Sequence, residues 1–280
     1  MSIAFLFPGQ GSQCLGMGAE HFVEFPDLVE QANQVLGLSI VQLCTEGPEE
    51  KLGMTQFTQP ALFVTSYLAA RSIITDSKVP QMTAGHSVGE FTALAVAGAI
   101  SFKDGLKIVA KRGELMSRVT RGGMSAVIGL SEDDIRKTLR CNDFHEVDLA
   151  NFNSPGQIVL SGPASQIQNS VSFLKEAGAK LVVPLKVSGA FHSHMMREPA
   201  LEFAEFLKQF SFSAPKFPVY ANIDAQPYRS AESISEGLVK QMYSPVRWSD
   251  TISRMRQAKA ESFLECGPGN ILTKLLRQIP

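Results

Sequence analysis

Cysteine is scarce in this chain, with Cys14, Cys44, Cys141 and Cys266 the only four in 280 residues. They form no C-x-x-C pair, which argues against a disulfide framework or a cysteine-rich zinc site and makes a reducing cytosol the expected setting. Net charge is equally slight: 26 Lys+Arg against 27 Asp+Glu leaves −1. That balance gives no whole-molecule attraction to nucleic acid or to an anionic membrane, so any anionic ligand must be met locally. No stretch approaches the about 18 apolar residues that span a bilayer. The apolar run at the start is short and has no basic region before it, unlike a secretory leader. Internal repeats and low-complexity tracts are absent too. The expectation is a soluble cytoplasmic protein without nucleic-acid or membrane partners. With 44% apolar and 19% charged residues, the chain suffices for one large core, or for a core plus a smaller inserted unit.

Strand-like and helix-like segments alternate, which predicts an α/β fold with a parallel sheet covered by helices. The first strand is "IAFLF" (3–7), and a second, near 82–84, runs into "GHSVGE" and a small-residue helix. A further helix covers 102–118. The pattern changes at Gly122 and Gly123. "MSAVIGL" reads as a strand, "SEDDIRKTLR" as a capped helix, and "EVDLANFN" and "QIVLSG" as strands about the Ser154–Pro155–Gly156 turn. A helix ending at Gly178 and the strand "KLVVPLKV" follow. This β-α-β-β-α-β order predicts a ferredoxin-like subdomain over 123–187, inserted in a larger domain formed by 1–122 and 188–280. The larger domain resumes with a helix from about 193, a strand near "FPVYANI" and a final strand–loop–helix, "ESFLECGPGNILTKLLRQI".

"GHSVG", Gly85 to Gly89, fits G-x-S-x-G where a strand gives way to a helix. On such a turn the Ser87 Oγ projects into a cleft, the following helix N-terminus favours negative charge, and the Val88 N–H can face an oxyanion. The plainer reading is a serine capping the next helix. A serine nucleophile needs a base, usually histidine. Of five histidines, His86 adjoins Ser87 along the chain and is poorly placed, while His21 and His145 lie in polar surroundings. "SGAFHSHMM" offers both His192 and His194, and residue chemistry does not choose between them.

The 102–118 helix carries Asp104, Lys107, Lys111, Glu114 and Arg118 on one polar face. Arg112 lies off that stripe, beside Ile108, Val109, Leu115 and Met116. An inward arginine must meet an anion, because a buried unpaired charge is prohibitively costly. That anion is either a structural carboxylate or the carboxylate of a substrate, held by the guanidinium fork. The early loop "PGQGSQ" raises a similar choice. As a G-x-G-x-x-G phosphate cradle it places Cys14 where the third glycine belongs, and no clear dinucleotide βαβ unit follows. The better reading has Gly9 and Gly11 bending the backbone toward Ser87, so that the Gln10 N–H faces a transient charge.

"FPGQGSQ", "TQPALF", "GHSVGEFTAL", "KRGELM", "NFNSPGQIVLSG", "GAFHS", "SPVRW" and "ECGPGNIL" stand in this order over nearly the whole chain. Together they resemble the malonyl-CoA:acyl-carrier-protein transacylases of fatty acid synthesis and their polyketide-synthase relatives. The wording is most similar to the free-standing acyltransferases that serve bacterial polyketide synthases lacking built-in ones. The resemblance implies an α/β-hydrolase-like core with a ferredoxin-like insert. It implies ping-pong transfer of malonyl from malonyl-CoA to the phosphopantetheine thiol of an acyl carrier protein, with no metal or redox cofactor and a monomeric enzyme.

By the same resemblance, Ser87 matches the nucleophile and His192 the base, whose ring is oriented by the backbone carbonyl of Gln241 instead of an aspartate. Gln10 and Val88 match the oxyanion hole, and Arg112 the clamp on the free malonyl carboxylate. Phe191 matches a residue associated with malonyl over methylmalonyl, and Asn153 a lining residue of the acyl pocket. Carrier proteins are usually acidic, which suggests a basic landing patch from Lys107, Lys111 and Arg247. The alternatives are an acyl hydrolase that clears carrier proteins, an ordinary serine esterase, and an inactive carrier-protein docking scaffold. Arg112 and Phe191 favour transfer.

Overall fold

A computed structural model describes residues 2–74, 78–187 and 189–280. The expected boundary at 187/188 falls on a residue outside the described ones. Eight strands form among the described residues: β1 (Ile3–Phe7), β2 (Met82–Gly85), β3 (Gly122–Ile128), β4 (Asp148–Ser154), β5 (Gln157–Pro163), β6 (Leu181–Pro184), β7 (Val219–Tyr220) and β8 (Ser262–Glu265). They divide into two four-stranded sheets.

The first sheet has the order β7-β2-β1-β8, with every pairing parallel. β1 lies inside it, and its unbroken apolar run suits a strand buried on both faces. The helix Gly89–Val96 packs on β1 and β2, and the helices Thr55–Ile73 and Phe102–Ser117 lie against it and meet each other through Phe63 and Phe102, whose rings stack at 5.7 Å. Ser101 caps the second of these helices by accepting the Asp104 N–H at 3.0 Å, and Arg118 closes it. As the periodicity requires, Arg112 points inward and is fully buried.

The second sheet is antiparallel, in the order β4-β5-β3-β6, and its strands come from one continuous stretch, residues 122–184. Counted within the stretch the order is 2-3-1-4, the ferredoxin-like arrangement. The helices Glu132–Cys141 and Ala164–Glu176 cover it around a separate apolar core that includes Val127, Ile135, Leu139, Leu160 and Leu174. β3 starts two residues earlier than the sequence suggests and stops at Ile128, where Gly129 turns with φ +93. β6 is shorter than the expected 180–187 strand. It ends at Pro184, which has no N–H to continue a ladder.

β2 and the helix Gly89–Val96 are joined by a turn so tight that a Cβ on Gly85 would lie 1.9 Å from the Gly89 carbonyl carbon. Ser87 sits at its apex with φ +52, in the left-handed region. Gly85→Ala is therefore expected to destabilise the protein by about 3 kcal/mol or more, since the clash is with backbone and has no rotamer escape. Urea unfolding checks this, and an unchanged midpoint would contradict the close approach.

Candidate active site

The turn after β2 raises Ser87 into a cleft between the two sheets. Ser87 Oγ lies 2.7 Å from His192 Nε2. His192, also at positive φ (58°), is held by its own N–H to the Met242 carbonyl at 3.1 Å and by Nδ1 to the Gln241 carbonyl at 2.8 Å. A carbonyl can only accept, so Nδ1 bears the proton and Nε2 presents a lone pair to the serine hydroxyl. Burial, and next the positive charge of Arg112, push the His192 pKa down to about 3, so the ring is neutral at neutral pH.

The geometry separates the two histidines of "SGAFHSHMM". His194 is exposed and turned to a different partner, with its backbone N–H and Nδ1 both on Asp148 Oδ2, at 2.8 and 2.7 Å. An exposed pair of this kind contributes about 0–1 kcal/mol. His194→Ala should therefore leave turnover within about twofold of wild type, whereas His192→Ala should remove most of it. A steady-state assay distinguishes them, and comparable losses would contradict the separation.

Arg112 also reaches the serine. Its Nη2 donates to Ser87 Oγ at 3.3 Å and to Gln241 Oε1 at 2.8 Å, its Nη1 donates to Gln59 Oε1 at 2.7 Å, and the Phe91 ring lies 5.3 Å from the guanidinium carbon. The Gln59 amide is itself oriented by its Nε2 on the Met116 sulfur. Burial lowers the Arg112 pKa to about 9, still well above neutral, with Glu90 opposing the shift. Among the described residues no carboxylate forms a direct ion pair with Arg112; the nearest one the electrostatics feel, Glu90, meets it only through the Gln241 amide, which leaves the fork without a carboxylate of its own. The guanidinium is instead held by neutral amides beside the serine, with Nε unsatisfied.

Gln10 and Val88 border the same small cavity as Ser87, about 80 Å³ in volume. Among the described residues, neither backbone N–H is committed to a hydrogen bond. Gly9 allows that approach, since a Cβ there would lie 2.5 Å from the His86 carbonyl oxygen. Phe191, Met116 and Met124 form apolar walls. Asn153 is not part of the lining: its Oδ1 takes the His86 Nε2 at 2.8 Å, and Asn151, two residues back on β4, faces the cavity instead. A larger hollow of about 410 Å³, along Arg118, Arg121 and Met195, holds none of these groups, so the smaller cavity marks the chemistry.

Besides Asn151, three residues of the site were missed in the sequence. Asn222 accepts the Ser87 N–H at 2.8 Å and donates to the Gly85 carbonyl at 2.7 Å, which braces the turn. Gln59 and Glu90 are the others. Their only sequence signal was polarity inside otherwise apolar helices. Of the residues suggested for a basic patch, Lys107 pairs with Asp104, Lys111 with Glu114 and Glu202, and Arg247 with Asp250. Among the described residues no group of three or more His, Cys, Asp or Glu side chains is arranged to hold a metal ion, and no helix is long and apolar enough to cross a membrane.

Comparison with known proteins places these features in a family. The profile of the acyl transferase domain matches residues 4–279. The chain is 46% identical over 279 residues to the polyketide biosynthesis malonyl CoA-acyl carrier protein transacylase PksC of Bacillus subtilis, covering 99% of this chain and 96% of the relative. It is 50% identical over 279 residues to the polyketide biosynthesis protein ThaF of Burkholderia thailandensis, covering 99% of this chain but only 24% of that longer protein. Among solved structures, a malonyl CoA-acyl carrier protein transacylase from Burkholderia pseudomallei superposes with a TM-score of 0.95 at 43% identity, covering 100% of this chain and 98% of that one. A malonyl-transacylase solved in complex with a type II polyketide-synthase acyl carrier protein also gives 0.95, at 39% identity over 100% and 93% of the two chains.

Proposed function

Since the chain belongs to the acyl transferase domain family, we propose that it transfers malonyl from malonyl-CoA to the phosphopantetheine thiol of an acyl carrier protein, through an ester on Ser87. The observation that carries this reading is a buried guanidinium in direct contact with no protein carboxylate, 3.3 Å from a serine that is hydrogen-bonded to a neutral histidine. A malonyl group on Ser87 would bring its free carboxylate to that cation, one methylene beyond the ester carbonyl.

In the first half-reaction His192 Nε2 takes the Ser87 proton as Oγ bonds to the thioester carbonyl carbon. The oxyanion is received by the Gln10 and Val88 N–H groups, where loss of one donor typically costs about 10²–10³ in rate. The tetrahedral intermediate collapses by breaking the C–S bond, and His192 returns its proton to the departing CoA sulfur. In the second half-reaction His192 takes the proton of the carrier thiol, whose sulfur attacks the ester carbonyl, and Ser87 leaves with that proton. The acyl carboxylate on Arg112 also offsets the positive charge that depresses His192, so a diacid substrate strengthens its own base. Acyl group and thiols both arrive from outside, so no resident cofactor enters these steps.

In this reading residues 1–122 and 188–280 form the catalytic domain and 123–187 a smaller subdomain that closes the cleft through Met124 and Asn151. The polyketide-associated relatives favour a carrier domain of a polyketide synthase as acceptor. Offering malonyl-, methylmalonyl- and acetyl-CoA with a holo carrier protein, and following transfer beside hydrolysis, tests the proposal. Malonyl is expected on the carrier with little free acid. Net hydrolysis would indicate a clearing enzyme, and inertness a docking scaffold.

A further inference from the structure

One turn beyond Ser87 lies a carboxylate that the proposed reaction does not use. Glu90, in the first turn of the helix Gly89–Val96, is fully buried. Its Oε1 accepts the Tyr228 hydroxyl, and its Oε2 accepts the Asn222 backbone N–H at 3.1 Å and the Gln241 Nε2 at 2.7 Å. Both groups held by Oε2 hold the site in turn. Asn222 Oδ1 takes the Ser87 N–H. Gln241 donates to the Ser87 carbonyl at 2.9 Å through Nε2, accepts Arg112 Nη2 at 2.8 Å through Oε1, and accepts His192 Nδ1 at 2.8 Å through its backbone oxygen.

An amide has one donor end and one acceptor end, so an acceptor fixed on the donor end dictates where the other points. With Glu90 on Nε2, Gln241 must present Oε1 to the guanidinium. Turned the other way, it would aim N–H groups at a cation. We propose that Glu90 is the positioning residue of the carboxylate clamp, acting through Gln241 to hold Arg112 against Ser87. The inference rests on the reading of Arg112 as that clamp. An acid is an expensive choice at a fully buried site: burial raises its pKa to about 7 against the opposing pull of Tyr228, Gln241, Asn222 and Arg112. A group retained there, with every oxygen committed to the reacting machinery or to the tyrosine that anchors it, is doing more than filling space.

The test compares malonyl with acetyl transfer, each as kcat/KM to a holo carrier protein, for wild type, Glu90→Gln and Glu90→Leu, alongside thermal melts. Glu90→Gln keeps an acceptor oxygen for Gln241 and Asn222 and can turn its amide nitrogen to the Tyr228 oxygen. Its malonyl-to-acetyl ratio should stay within about threefold of wild type. Glu90→Leu removes the acceptor and should lower that ratio by about tenfold or more. An unchanged ratio in Glu90→Leu, with both activities falling together, would overturn the proposal. So would a ratio lost as fully in Glu90→Gln. Should Glu90→Leu fail to fold, Gln241→Met removes the relay amide and keeps the backbone carbonyl for His192. It should lower the ratio likewise, and an unchanged ratio there rejects the route. A wild-type enzyme that transfers no malonyl would instead reject the functional reading itself, so the two failures are distinct.

Discussion

Replacing Arg112 with alanine should reduce kcat/KM for malonyl transfer by about 10²–10³ while acetyl transfer changes by less than about tenfold. Removing one partner of a buried, hydrogen-bonded charge pair costs about 3–5 kcal/mol, and each 1.4 kcal/mol is tenfold. Acetyl has no carboxylate, so it loses none of that interaction. Loss of the nearby positive charge also relieves part of the depression of His192, which protects acetyl transfer further. Lysine is not a substitute. Its point charge lacks the fork that spans the Gln59 and Gln241 oxygens while reaching Ser87. Competition kinetics with the two thioesters check the prediction, and equal losses for both would remove the clamp.

The largest loss should come from Ser87→Ala, which is expected to abolish the covalent acyl intermediate and to lower transfer by about 10⁴ or more. Residues acting as one unit are strongly non-additive, so adding His192→Ala to that variant should cost little further activity. The geometry explains this coupling: the proton that His192 Nε2 takes in acylation is that of Ser87 Oγ, 2.7 Å away, so without the hydroxyl the acyl-enzyme that both half-reactions pass through does not form. Residual malonyl transfer to a holo carrier protein, measured in the two single variants and the double variant, tests it. A further large drop in the double variant would mean that His192 acts independently of Ser87.

Much of the architecture was legible because its elements carry local signals. β1 is an unbroken apolar run, the antiparallel stretch alternates strands with capped helices, and the Phe102–Ser117 helix has one polar stripe that exposes Arg112 as the exception. The helix Thr55–Ile73 gave no such signal, since it is buried along nearly its whole length and has no polar side to contrast with an apolar one. The antiparallel strands had the right order, but their ends moved by two or three residues where Gly129 and Pro184 interrupt the ladder.

The candidate site divides in the same way. Ser87 stood out through the glycines its turn needs, and Arg112 through its place on a helix face. His192 and His194 were indistinguishable as residues, and only the fold puts one on the serine and the other on Asp148. Glu90, Asn222, Gln241 and Tyr228 meet across more than 130 positions of sequence, a pairing that no spacing rule displays. One clue was nevertheless present. A lone carboxylate in "GEFTALAVAGAI" is as anomalous as Arg112, and the argument that makes a buried arginine seek an anion makes a buried glutamate seek donors.

The proposed function requires the acyl group to pass through Ser87 on its way to a carrier thiol. The most direct measurement is intact-mass spectrometry of the wild-type protein after brief exposure to malonyl-CoA and removal of free CoA, followed by addition of a holo carrier protein. One malonyl adduct is expected, mapped to the Ser87 peptide, that disappears as the same mass increment appears on the carrier. An adduct on another residue, no adduct at all, or an adduct lost to water while the carrier stays unmodified would contradict it.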